Sequence, residues 1–202
     1  KTIILIYPWL QRLLYLKTDL NIFQANFLAK LYLTRINKNY KKTKILSNNC
    51  SLVKKKKLIK KINKKIIIGF AAPMYWSCKG LDVILSLYKA LNTSNLEFQL
   101  FLAGDGPQAK KLKRELLKIS NKNFKWNGWV NNMSNFFKKI DLLIIPSNYD
   151  SCPNLLLEAI SNKKFLFASN IPAHNEILKN KDLLFPINKI DLLVNKILKL
   201  KK

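Results

Sequence analysis

From Ile66 onward the chain alternates short apolar runs with amphipathic ones, and this alternation constrains its fold more than any other feature. Ile66 to Ala71 is a continuous apolar run, the pattern of a strand buried on both faces. Lys79 to Leu91 follows, with Leu81, Ile84, Leu85, Tyr88 and Leu91 spaced as one face of a helix. The exchange then repeats. Strands are expected over Glu97–Ala103, Asn123–Trp126, Asp141–Pro146, Lys164–Ser169 and Asp182–Phe185. Helices are expected over Pro107–Ile119, Asn131–Lys139, Pro153–Ser161 and Ala173–Leu178, with a last amphipathic helix carrying Ile190, Leu193, Val194 and Ile197. Strands joined through helices imply right-handed crossovers and an α/β fold: a parallel sheet with helices on both faces.

Upstream the pattern changes, and a division is expected near residue 60. A strand over Asp19–Gln24, a helix over Ala25–Ile36 and a strand over Lys42–Leu46 precede a Lys-rich stretch from Lys54 to Lys65, read as an exposed linker or solvated helix face. Thr2 to Leu16 is apolar, but Pro8, Gln11 and Arg12 interrupt it and it is too short to span a bilayer. It lacks the basic start and small-residue cleavage site of a signal peptide. A buried helix is expected there; an interfacial one is the alternative.

Charge opens a second function class. The chain of 202 residues carries a net charge of +26, which suits a basic module binding nucleic acid or an anionic membrane surface. Lys, Asn and Ile are abundant together, however, as A/T-rich codons would produce, and only Lys54–Lys57 and Lys60–Lys65 form dense lysine runs. Nucleic acid is therefore not the expected partner. Three cysteines without a C-x-x-C pair argue against a disulfide framework or zinc site, and one histidine excludes a multi-histidine metal site. A reducing compartment, the cytoplasm, fits best.

In parallel sheets ligands sit outside the carboxyl ends of the strands. After Pro146 the loop reads SNYDSC, and a helix opens at PNLLLEA. Pro153 suits a first helical turn, leaving the amides near Asn154 and Leu155 free to bind an anion. Asp150 can face a sugar while Glu158 reaches a ribose hydroxyl; equally, Asp150 can cap the helix and Glu158 be an ordinary early-turn acid. The loop after Ala103 is GDGP, whose glycines let backbone approach a ligand or make a plain strand–helix turn. Lys79, after the loop that follows Ala71, can meet a diphosphate or be solvated.

Five motifs then occur in order: GF…KGLDVIL, LFLAGDGP, F-x-W-x-G-W-V, DLLIIPSNYDSCPNLLLEA and SNIPAHNEI. Together they resemble the donor-binding domain of the family 4 retaining glycosyltransferases, of the two-domain GT-B fold, over about Ile66 to Phe185. The resemblance implies a Rossmann-like nucleotide-sugar-binding domain over 61–202, the donor-binding half of a GT-B fold. DLNIFQANFLAKLYL…KTKILSNNCSL over 1–60 resembles the end of the acceptor domain and the crossover, with Asn49 in place of a glycine. Most of the acceptor domain would then precede Lys1, and this chain alone would be inactive.

By the resemblance, Asp150 contacts the transferred sugar, standing where the family has Glu, and Lys79 neutralises the diphosphate. Glu158 holds the ribose hydroxyls. The backbone of Ser151, Cys152, Pro153, Asn154 and Leu155 meets sugar and diphosphate. Gly104 approaches the donor, and Gly128, Trp129 and Val130 line the base pocket. Many members carry an Arg after the first strand; here Phe70 follows Gly69. The expected substrate is a nucleotide-diphosphate sugar, with no metal or other cofactor. The expected acceptor is a glycan or lipid-linked molecule in polysaccharide or cell-surface glycan synthesis. Trp9, Arg12, Tyr15 and Lys17 permit a peripheral contact with the cytoplasmic membrane face.

Overall fold

A computed structural model describes residues 8–47 and 65–201. The Lys54–Lys64 part of the lysine-rich stretch, the expected break near residue 60 and the crossover at Asn49 lie outside the described residues. The chain divides into two units, Lys1–Asn49 and Cys50–Lys202.

The first unit holds helix α1 (Pro8–Lys17), strand β1 (Asn21–Phe23), helix α2 (Asn26–Arg35) and strand β2 (Thr43–Ile45), with β1 and β2 parallel. Tyr15, Leu33 and Ile36 form its small core. Of the apolar segment Thr2–Leu16, expected to be buried, residues 2–7 lie outside the described residues, and the α1 part is largely exposed. Tyr15 is buried, but Trp9, Leu13, Leu14 and Leu16 of α1 are exposed. A two-stranded sheet offers too little apolar surface to cover a second helix.

The second unit is built on a six-stranded parallel sheet. Its strands are β3 (Ile66–Ala71), β4 (Phe98–Ala103), β5 (Phe124–Trp126), β6 (Leu142–Ile145), β7 (Phe165–Ser169) and β8 (Leu184–Phe185). They lie in the order β5-β4-β3-β6-β7-β8, every pair parallel. The first strand is thus central, and the winding reverses between β3 and β6. That is the strand order of a doubly wound nucleotide-binding sheet, in which the crevice at the reversal takes the ligand.

The helices are α3 (Trp76–Lys79), α4 (Leu81–Asn92), α5 (Ala109–Ile119), α6 (Met133–Lys139), α7 (Asn154–Ser161), α8 (Pro172–Ile177) and α9 (Ile190–Leu198). Strand side chains alternate between two apolar clusters. Ile66, Ile68, Phe70, Leu100, Leu102 and Ile144 pack in one with α4, α5 and α9. Ala71, Phe101, Ala103, Leu143 and Ile145 pack in the other with α6 and α7. Each such buried large apolar side chain contributes about 1.5–3 kcal/mol, so two covered faces hold the sheet. Among the described residues no helix is long and apolar enough to cross a membrane.

Several helix starts differ from expectation by a residue or two, and three of them bear on the strand ends. The Lys79–Leu91 helix is broken at Gly80, whose φ of 64° is left-handed, so Lys79 ends α3 instead of opening α4. A Cβ on Gly80 would stand 1.9 Å from the Pro146 carbonyl oxygen, so only glycine allows this junction to abut the end of β6. The Pro107–Ile119 helix starts at Ala109, after the Gly106 turn. Pro153 is the residue before α7, not its first turn.

Candidate functional site

At the carboxyl ends of β3, β4 and β6 lies a cleft of about 380 Å³. Its wall includes Lys79 at the end of α3, and Gly104, Trp129 and Val130 from the loops after β4 and β5. Asp150, Cys152, Pro153, Asn154, Leu155 and Glu158, from the loop after β6 and from α7, line it as well. Gly128 and Ser151 do not line it. Gly128 sits at a φ of 63° and its carbonyl accepts from the Gly104 amide at 2.6 Å, so it shapes the wall from behind.

The charged centre is one pair. Lys79 Nζ lies 2.9 Å from Asp150 Oδ2, both side chains partly shielded, at 26% and 13% exposure. Three contacts bring them together. Gly80 presses the α3–α4 junction onto Pro146. The Asn148 and Tyr149 amides donate to the Cys78 carbonyl at 2.9 and 3.4 Å. The Cys152 amide donates to Asp150 Oδ1 at 3.3 Å, fixing the carboxylate in its own turn. Lys79 is the one basic side chain among the described residues lining the cleft.

Two sequence alternatives are thereby resolved. Asp150 does not cap α7, because its oxygens go to Cys152 and Lys79 and the residue before α7 is Pro153. Lys79 is not a free solvated lysine. A third reading is corrected: the Asn154 amide is not open to an anion, since it donates to the Cys152 carbonyl at 2.9 Å. Glu158 is exposed, in the middle of α7, and faces the cleft from the side of the helix.

The GDGP loop makes a strand–helix turn whose glycines admit a neighbouring loop. A Cβ on Gly104, at a φ of 118°, would stand 1.9 Å from the Ala72 carbonyl oxygen. The Met74 amide donates to the Asp105 carbonyl at 2.9 Å, and the Trp76 amide to Gln108 Oε1 at 2.5 Å. The close approach is between two loops; Gly104 reaches the cleft as part of that joint.

Sequence reasoning missed Ala72, Pro73, Met133 and Ser147, which also line the cleft. Ser147 and Pro73 stand just past β6 and β3, and position at a strand's carboxyl end was the signal that could have found them. Ser169 and His174, behind this wall, were also unassigned; both lie in the SNIPAHNEI motif.

The sequence profile described as "Glycosyl transferases group 1" matches residues 53–202. The chain belongs to the group 1 glycosyl transferases. Within this family it is 29% identical over 181 residues to Protein CapJ of Staphylococcus aureus, an alignment covering 85% of this chain and 45% of CapJ. It is 32% identical over 98 residues to the UDP-Gal:alpha-D-GlcNAc-diphosphoundecaprenol alpha-1,3-galactosyltransferase of Escherichia coli, covering 46% of this chain and 25% of that enzyme. The chain therefore spans less than half the length of these relatives. Among solved structures, a mutant of S. aureus TarM in complex with Fondaparinux, alpha-GlcNAc-glycerol and UDP superposes with a TM-score of 0.75 at 17% identity. That match covers 92% of this chain and 37% of the other, and it supports the GT-B fold.

Proposed function

We propose that this group 1 glycosyl transferase chain is the donor-binding part of a retaining, family 4 hexosyltransferase that takes its sugar from a uridine diphosphate donor. The observation that carries the reading is the Lys79–Asp150 pair at the reversal point of the sheet, in the same cleft as Glu158. A cation and a carboxylate at one end, with a second carboxylate further along, match the order of charges and hydroxyls in a nucleotide sugar.

In this reading the diphosphate displaces Asp150 from Lys79. Lys79 then offsets the negative charge that grows on the departing diphosphate, an electrostatic role that requires no proton transfer from the lysine. Asp150, released, accepts from hydroxyls of the transferred sugar. Glu158 accepts from the ribose hydroxyls. Trp129 and Val130 flank the base, with Gly104 and Gly128 framing that wall, and the 152–155 segment follows the sugar and diphosphate. No metal or further cofactor takes part. Attack comes from the face the diphosphate leaves, which retains configuration. Uridine is favoured because the E. coli relative is named for UDP-Gal and the TarM structure holds UDP. That E. coli relative is also named for a diphosphoundecaprenol acceptor, which favours a lipid-linked glycan acceptor, at the cytoplasmic membrane face, in surface polysaccharide synthesis.

Thermal melting with UDP, GDP, ADP and their sugars tests this. A ligand at about a hundred times its Kd stabilises the native state by about 2.7 kcal/mol. UDP or a UDP-sugar should therefore raise the Tm by several degrees, about 2–4 °C per kcal/mol in a domain of this size. A melting curve that none of these ligands moves would sink the donor-site reading.

A further inference from the structure

His174, the single histidine of the chain, is fully buried in α8, behind the cleft wall. Its hydrogen bonds fix its tautomer. Nδ1 lies 2.8 Å from the Ser169 carbonyl oxygen, which can only accept, so Nδ1 carries the proton. The Ser169 hydroxyl donates to the Ser147 carbonyl and lies 3.2 Å from Nδ1, where its lone pair takes a share of the same proton. The chain of bonds therefore runs from His174 through Ser169, at the end of β7, to Ser147, just past the end of β6. Ser147 is a wall residue of the cleft, and the loop that begins there carries Asp150.

The other ring nitrogen, Nε2, is a buried acceptor with no hydrogen-bond partner among the described residues. A buried unpaired acceptor costs about 1–3 kcal/mol, so an imidazole here is not simple filling. Burial holds its pKa below the ordinary 6.5, against the hydrogen bond to Ser169, which raises it. The charges that act on the ring are Asp150, which favours the imidazolium, and Lys79, which opposes it.

We propose that His174 is a positioning residue of the donor site: through Ser169 it anchors the Ser147 carbonyl and so holds the loop carrying Asp150 where the transferred sugar binds. This rests on the donor-site reading and extends it to a residue that touches neither base nor diphosphate. The neutral ring is the working form. Protonation turns Nε2 into a donor and places a second cation beside the pair, drawing Asp150 away from its place and repelling Lys79. The sign follows: the positioning effect is complete above the ordinary histidine pKa and is lost as pH falls through the lower folded value.

Titration calorimetry of the whole chain separates the possibilities. The probes are UDP and the tightest-binding of UDP-galactose, UDP-glucose and UDP-N-acetylglucosamine. His174→Leu should keep the affinity for UDP within about twofold and lose about tenfold for the UDP-sugar, the size of one well-placed hydrogen bond. His174→Asn, whose amide can donate to the same carbonyl, should recover most of that loss. In wild type the UDP-sugar affinity should hold at about pH 7 and fall as the pH drops below the ordinary histidine value of about 6.5. It should stay flat in His174→Asn, because the doubly esterified diphosphate does not titrate there. Equal UDP-sugar binding by wild type and His174→Leu overturns the proposal, as does an unchanged acid limb in His174→Asn; the second result decides the matter even where the leucine variant does not fold. A wild type that binds neither UDP nor any of these UDP-sugars overturns the donor-site reading, and the proposal with it.

Discussion

The loops that leave β4 and β6 flank the central strand on its two sides, and both open toward the same cleft. They differ in what they are made of. After β4, GDGP contributes backbone: its glycines let the chain lie against Ala72 and Met74, and the hydrogen bonds run from loop to loop. After β6, the residues from Ser147 to Pro153 contribute side chains: Asp150 meets Lys79, and Cys152 and Pro153 reach the wall. The lesson is that glycine beside a ligand site need not be there for the ligand. One loop builds the frame and the other carries the chemistry, so substitutions in the first should act on stability and those in the second on binding.

The widest separation is expected at Gly104. Gly104→Ala places a methyl group on the Ala72 carbonyl and demands a left-handed backbone, at a cost of about 3 kcal/mol. Urea denaturation should show that loss, with UDP affinity nearly unchanged in the fraction that remains folded. Glu158→Ala is the converse. Its carboxylate is exposed, so the melting point should hold, while UDP binding weakens about 10- to 100-fold as charged hydrogen bonds to the ribose are lost. A Glu158→Ala protein that melts early but binds UDP normally would reverse the assignment.

The pair itself sharpens the contrast further. Lys79→Ala should weaken UDP binding about tenfold. Asp150→Asn should strengthen it about threefold, because Lys79 no longer has to be taken from a carboxylate, yet lower the gain from an attached sugar. Each should change stability by no more than about 1 kcal/mol, since the pair is partly exposed. Calorimetry in which both variants move UDP affinity in the same direction rules out the competition between carboxylate and diphosphate. The smallest effect is expected at Gly128. Its φ is left-handed, but a Cβ there meets nothing within 4 Å. Gly128→Ala should therefore cost only about 1 kcal/mol, from backbone strain alone. A larger loss in a chemical melt would show that open space is not what distinguishes it from Gly104.

Much of this was legible in the residues. Ile66–Ala71 was read as a strand to its exact ends, because a doubly buried parallel strand is apolar throughout and leaves no polar residue to blur its limits. The order of strands was not legible from periodicity, which is local. Nor was the break at Gly80: the expected helix ran from Lys79 straight across it, and only the approach of Pro146, far along the chain, requires the left-handed turn. Ten of the proposed site residues line the cleft, Lys79 and Asp150 among them. Their direct contact spans 71 positions, and no spacing rule reaches so far. The role of His174 was hidden for a related reason. A lone histidine in a helix has no signature until its neighbours in space are known.

The Lys79–Asp150 contact also sets what the site will refuse. The chain carries a net charge of +26, and anions of every kind will gather near it. Inorganic phosphate or sulfate entering the cleft can engage Lys79 only by stranding the Asp150 carboxylate in a partly shielded position. On the donor-site reading a nucleotide sugar leaves no such debt, since its diphosphate would answer the lysine and its hydroxyls the aspartate. On the donor-site reading, the pair thus disfavours simple anions and favours a ligand that can satisfy both halves of the lock at once.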